Sequence, residues 1–139
     1  MAEYERGSVP RVLVGTAGPQ AVAEFAAGRG ATTAVLIVDG SAVTNGYIDR
    51  IDAALTDAAC VERIERYVVP PSEPDARSVD AAAELVRSVP RPIVVGVGGG
   101  SALDTAKQAA VVAAAAAGVE HYALGAHPLP GRRALRATI

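Results

Sequence analysis

Four apolar runs divide this chain, and the segments between them carry apolar residues at helical spacing. Residues 11–15, Arg-Val-Leu-Val-Gly, read as a first strand, and Ala34, Val35, Leu36, Ile37 and Val38 read as a second that is apolar on both faces. Residues 62–69 alternate charged and apolar positions until Pro70 and Pro71 stop them, which predicts a third, less buried strand. Residues 93–97 form the fourth. After Gly18 and Pro19, the positions Ala21, Val22, Phe25 and Ala26 predict a helix, with Pro19 suited to its first turn. A second helix is expected over residues 46–57, burying Ile48, Ile51, Ala54 and Leu55. A third, capped by Asp75 or Ser72, runs through Ser88 with Val79, Ala82, Ala83 and Val86 facing inward. The fourth covers residues 101–117, and residues 132–139 look like the approach to a further strand. Strands alternating with helices of this length indicate parallel crossovers. The expected fold is therefore α/β, a doubly wound, mainly parallel sheet with helices on both faces, filling residues 1–139 as one domain.

Composition narrows this picture. Half of the 139 residues are hydrophobic and only 4% are aromatic, which suits small aliphatic side chains packed tightly on a parallel sheet. A net charge of −2 gives no invitation to nucleic acid or to an anionic membrane surface. The single Cys60 has no partner for an internal disulfide and is expected as filler beside a helix. The N-terminus lacks the basic start and apolar core of a signal peptide, and the apolar run over residues 109–118 is too short to span a bilayer. A cytoplasmic location is the expectation.

The candidate chemistry lies in Gly-Val-Gly-Gly-Gly-Ser-Ala-Leu-Asp-Thr-Ala-Lys, residues 96–107, between the fourth strand and its helix. Gly98, Gly99 and Gly100 let backbone N–H groups approach a phosphate with no Cβ in the way, and Ser101 adds a hydroxyl donor. A tight strand-to-helix turn requiring positive φ explains the same triplet. The third glycine of the usual dinucleotide fingerprint is absent, since Ser101 stands in its place, and Lys107 comes too late for a P-loop. Asp39 ends the second strand, where a carboxylate accepts hydrogen bonds from ribose hydroxyls and repels a 2′-phosphate, so NAD is expected over NADP. An ordinary turn aspartate before Gly40 is the other reading. Asp104 and Lys107, three apart on one helix face, are either an exposed ion pair or groups at the mouth of the cofactor site.

Gly-Gly-Gly-Ser-Ala-Leu-Asp-Thr-Ala-Lys resembles the GGGSxxDxAK signature of the iron-containing (group III) alcohol dehydrogenases. The stretches LVGTAG, VLIVDGSAV, PPSEPDA and LPGRRALRATI follow in family order, so the resemblance covers nearly the whole chain. It implies an NAD(P)-dependent oxidoreductase whose N-terminal Rossmann-like domain binds the dinucleotide. A C-terminal helical domain would hold Fe²⁺ or Zn²⁺ on an aspartate and histidines. By motif position, Asp39 would meet the adenosine ribose, Gly99, Gly100 and Ser101 the pyrophosphate, and Asp104 and Lys107 the neighbouring face. Ser72 stands where the family often has asparagine, which weakens the contact expected on the adenine side. Ser101 favours the alcohol dehydrogenase branch over related glycerol and polyol-phosphate dehydrogenases.

His121 and His127 are the two histidines present, and they lie in a Pro- and Gly-rich segment without a carboxylate at ligand spacing. They are expected as loop residues, and no residue is expected to act as catalyst or metal ligand. The resemblance thus implies the cofactor half of a metal-assisted alcohol dehydrogenase or aldehyde reductase acting on a small alcohol or aldehyde. Its second half would come from the same or a separate chain, and homo-oligomers are expected. A dinucleotide-binding module without catalysis, or an NAD-using sugar-phosphate synthase of the same fold, are the alternatives.

Overall fold

The computed structural model describes residues 15–59, 61–115, 117–125, 127–129, 131 and 134–139. The strand expected at residues 11–15 therefore lies, but for Gly15, outside the described residues, as does Cys60. The described elements run α1 (Gly18–Gly28), β1 (Thr33–Val38), α2 (Gly40–Thr44), α3 (Tyr47–Asp57), β2 (Arg63–Val68), α4 (Ala76–Arg87), β3 (Pro92–Val97), α5 (Gly100–Val112), a 3-10 turn (Val119–Gly125) and β4 (Leu135–Thr138). No helix among the described residues is long and apolar enough to cross a membrane.

The four strands form one sheet in the order β2-β1-β3-β4, every neighbouring pair parallel. Val38 stands opposite both Val68 and Val97, so β1, β2 and β3 end abreast. β1 is buried along its whole length and β3 nearly so, whereas β2 sits at the edge with Arg63, Arg66 and Val68 exposed and none of its residues fully buried. That difference follows from the sequence, because β1 and β3 carry apolar side chains toward both faces and β2 alternates.

Two cores result. On one face Ala34, Leu36, Val38, Ile93, Val95 and Val97 pack under α1, α2 and α3. On the other, Val35, Ile37 and Val94 pack under α4 and α5. The chain leaves β1 for β2 over the first face, crosses back to β3 over the second, and continues to β4 over that same second face. Reversing both direction and face keeps the hand of the crossovers the same, as parallel connections require. The reversal leaves a crevice between the carboxyl ends of β1 and β3.

Two boundaries differ from the pattern-based expectation, and one that it left open is decided. α2 is a short helix directly after β1, where none was expected, because the Asp39 side chain accepts the Ala42 N–H and caps it. Gly46, with φ 73°, then separates it from α3. Asp75, not Ser72, caps α4, accepting from both the N–H and the hydroxyl of Ser78 at 2.7 Å. α5 ends at Val112 rather than at Ala117. The Arg87 guanidinium donates to the Val112 carbonyl at 3.1 Å, and Asp80 of α4 accepts the Val119 N–H at 2.8 Å. A Cβ on Gly118 would lie 2.7 Å from Asp80 Oδ2. These contacts with α4 turn the chain away before the alanine run is exhausted.

Gly96 sets the spacing of α5 over the sheet. A Cβ there would lie 2.8 Å from the Cβ of the buried Ala106. Neither atom is on a flexible side chain, so Gly96→Ala forces helix and strand apart and is expected to lower stability by about 1–3 kcal/mol in urea unfolding. Ala106→Gly in the same chain restores part of the loss. A second expectation concerns Asp75, whose carboxyl is held below its ordinary value by the Ser78 hydroxyl first and the Ser78 N–H next. A lowered folded-state value stabilises the fold above the unfolded-state value of about 3.9, and the contribution disappears as the pH falls through the lowered one. Thermal melts of Asp75→Ala should therefore lie below wild type at neutral pH and converge with it in acid.

Candidate functional site

The crevice between β1 and β3 is built by two loops that meet. Asp39 follows β1 directly, and its Oδ1 accepts the Ala42 N–H at 2.8 Å and the Ser41 hydroxyl at 2.7 Å. Its Oδ2 accepts the Gly99 N–H at 2.6 Å, across 60 residues of sequence. Gly98 adopts φ 125°, and an ideal Cβ on it would fall 2.2 Å from Asp39 Oδ2. Glycine is thus required at residue 98 twice over, by backbone conformation and by the carboxylate lying against it. The three donors hold the Asp39 carboxyl below its ordinary value, the Gly99 N–H contributing most, then the Ser41 hydroxyl and the Ala42 N–H.

The glycine triplet has three separate tasks. Gly98 makes room for Asp39, Gly99 gives it an N–H and caps α5, and Gly100 begins α5 with nothing within 4 Å of where its Cβ would be. No side chain caps α5. The first-turn N–H groups of this thirteen-residue helix therefore bring partial positive charge to the crevice. Beside them opens a cleft of about 290 Å³, based on Asp39 and Gly40, walled by residues 69–72 and closed by residues 99–101. The Ser72 N–H bonds Pro70 O at 2.8 Å, and the Ser101 hydroxyl reaches Ser72 O at 3.4 Å, tying wall to turn.

The structure thus brings Asp39, Ser72, Gly99, Gly100 and Ser101 around one cleft, with Gly98 behind Asp39. Asp104 and Lys107 do not line it. They pair with each other at 3.1 Å on the half-exposed side of α5, and Lys107 opens instead on an apolar groove with Val111, Val119 and Leu129. His121 and His127 stack with centroids 3.8 Å apart and planes within 1° of parallel. Parallel ring planes share no point where in-plane lone pairs can meet. Among the described residues no three His, Cys, Asp or Glu side chains are grouped to hold a metal. Sequence reasoning missed Ser41 and Ala42, although Asp39 directly ahead of the small residues Gly40, Ser41 and Ala42 is a capping pattern.

Among the described residues, Asp39 is the one titratable side chain lining the cleft. The arrangement suits binding: N–H donors on one side, and across from them an ionised acceptor for hydroxyl groups.

The chain is 36% identical over 93 residues to long-chain-alcohol dehydrogenase 1 of Geobacillus thermodenitrificans, covering 67% of this chain and 23% of that enzyme. Its fold is similar to that of an archaeal halo-thermophilic alcohol dehydrogenase from a Red Sea brine pool, with TM-score 0.80 and 22% identity over 99% of this chain and 36% of that one. It is also similar to sulfoacetaldehyde reductase from Bifidobacterium kashiwanohense in complex with NAD+, with TM-score 0.77 and 23% identity over 89% of this chain and 32% of that one. The chain thus spans about a quarter to a third of the length of these proteins. With the model for iron-containing alcohol dehydrogenase matching residues 10–138, the described sheet included, the chain belongs to that family.

Proposed function

We propose that this chain is the dinucleotide-binding part of an NAD-dependent alcohol dehydrogenase or aldehyde reductase. The observation that carries the reading is the cleft at the strand-order reversal, with the uncapped start of α5 on one side and Asp39 on the other. A parallel sheet binds ligands at that place. The residues present fit NAD: Gly100 leaves open space beside the α5 N–H groups, and Asp39 offers a carboxylate to a ribose diol. A 2′-phosphate would meet that carboxylate and be repelled, so NAD is preferred to NADP. When bound, NAD supplies the hydride acceptor for alcohol oxidation. Gly99, Gly100 and Ser101 hold the pyrophosphate, Asp39 orients the ribose, and the wall containing Ser72 limits access by water.

The metal of the family has no donor set among the described residues, so these residues do not fit it. In this reading Fe²⁺ or Zn²⁺, the small alcohol or aldehyde and the proton-transfer groups belong to a helical domain outside these 139 residues. Asp104 and Lys107 serve α5 or its contact with that domain rather than the dinucleotide. A binding module without catalysis remains the second reading, favoured by the cleft's single titratable group among the described residues.

Gly100→Ala tests the proposal while leaving the fold intact. Nothing lies within 4 Å of the added Cβ, and alanine is the better helix former at that position. Stability should hold or rise while NADH affinity, followed by nicotinamide fluorescence, falls about tenfold or more, the effect of displacing one charge-assisted hydrogen bond. Unchanged NADH affinity would mean that the triplet is only a turn. Addition of a primary alcohol and NAD to the 139-residue chain alone should give no NADH.

A further inference from the structure

Asp39 occupies a backbone donor of the glycine turn. Its Oδ2 already takes the Gly99 N–H at 2.6 Å, and it lies where a side chain on Gly98 would be. Oδ1 is occupied separately, by Ala42 and Ser41 on α2. The two oxygens thus have different loyalties: one belongs to the helix cap, the other spans the crevice. Building on the dinucleotide reading above, we infer that Asp39 is an internal occupant of the glycine turn, displaced only by a phosphate ligand that also carries a vicinal diol.

The chemistry of exchange supports this. A phosphate oxygen arriving at the Gly99 N–H removes the donor held by Oδ2 and places a second negative charge beside it. Inorganic phosphate or pyrophosphate gives little back, since its few P–OH protons at neutral pH sit on the group whose own charge meets the carboxylate. A ribose diol donates its hydroxyl protons to the freed Oδ2, so the carboxylate keeps a full set of donors. Oδ1 can remain on the α2 cap throughout, so the exchange needs a local rotation and no unfolding. Selection for a nucleotide over bulk phosphate therefore resides in the contact between Asp39 and Gly99. It is distinct from the repulsion of a 2′-phosphate, which separates two dinucleotides rather than a dinucleotide from free phosphate.

The experiment is a calorimetric titration of inorganic pyrophosphate and of NAD into wild type, Asp39→Asn and Glu73→Gln, alongside amide NMR of Gly99. Asp39→Asn retains a cap acceptor for Ala42 while its uncharged amide is a poor rival for the Gly99 N–H. Pyrophosphate affinity should rise about tenfold or more in Asp39→Asn, the effect of freeing one charge-assisted donor, while NAD affinity falls. In Glu73→Gln, which removes an exposed carboxylate beside the cleft wall, pyrophosphate affinity should change less than about twofold, as for a screened surface charge. The Gly99 amide resonance should move when NAD binds wild type. If Asp39→Asn does not fold, Asp39→Ser keeps a capping oxygen too short to reach Gly99 and takes its place. Equal pyrophosphate affinity in wild type and variant while NAD still binds, or an equal gain in Glu73→Gln, overturns the exchange alone. Failure of folded wild type to bind NAD overturns the dinucleotide reading and the exchange by dinucleotide together.

Discussion

The parallel pairing of β1 with β3 is the constraint on which the rest of this molecule depends. Both strands are buried on two faces, and they stand side by side in the middle of the sheet. Their register, with Val38 opposite Val97, leaves the residues after them facing each other. Asp39 and Gly99 are neighbours because of that register. A slip of one residue would turn every core side chain of either strand to the wrong helix layer, so the position of the site is secured by the whole apolar content of the sheet. The small residues of α5, Ala102, Ala106, Ala109 and Ala110, extend the same logic, since they let the helix lie close over Gly96 and bring its first turn to the strand ends.

Much of this was legible in the chain, and the reasons differ by element. β1 and β3 are short apolar runs, one ending at Asp39-Gly40 and the other starting at Pro92 and ending at the glycine triplet, a pattern with few other homes in a chain of this size. β2 announced its edge position by alternating charges. Asp39 and the glycine triplet were recognisable as candidates because strand ends and glycines limit what the backbone does there. Contacts across long sequence separation were not visible. Alanine propensity favoured an α5 reaching residue 117, and nothing local revealed that Arg87 and Asp80 would end it earlier. Spacing put Asp104 and Lys107 on one face of their helix, but only the packing of α5 decides which way that face looks.

The glycine triplet shows how one short motif combines unrelated requirements. Gly98 answers to the backbone and to Asp39, Gly99 to a hydrogen bond, and Gly100 to open space. Gly96, outside the triplet, answers only to helix packing. Read as a string, the four glycines look like one flexible loop. In the folded chain each has a separate partner, and the turn they build is held from both ends: by Asp39 from β1, and by Ile139, whose carbonyl accepts the Gly98 N–H and whose own N–H reaches Gly96 O.

The double engagement of Asp39 also bears on how relatives of this chain are free to diverge. One oxygen closes α2 and the other crosses to α5, so residue 39 answers at once to helix formation and to whatever the crevice receives. Replacements that retain a short side-chain acceptor, such as Asn, Ser or Thr, keep the helix start and leave the crevice open to change. Longer or purely aliphatic side chains lose both together. Change at the crevice is thereby channelled through a few neighbouring residue types, along the rules of helix capping.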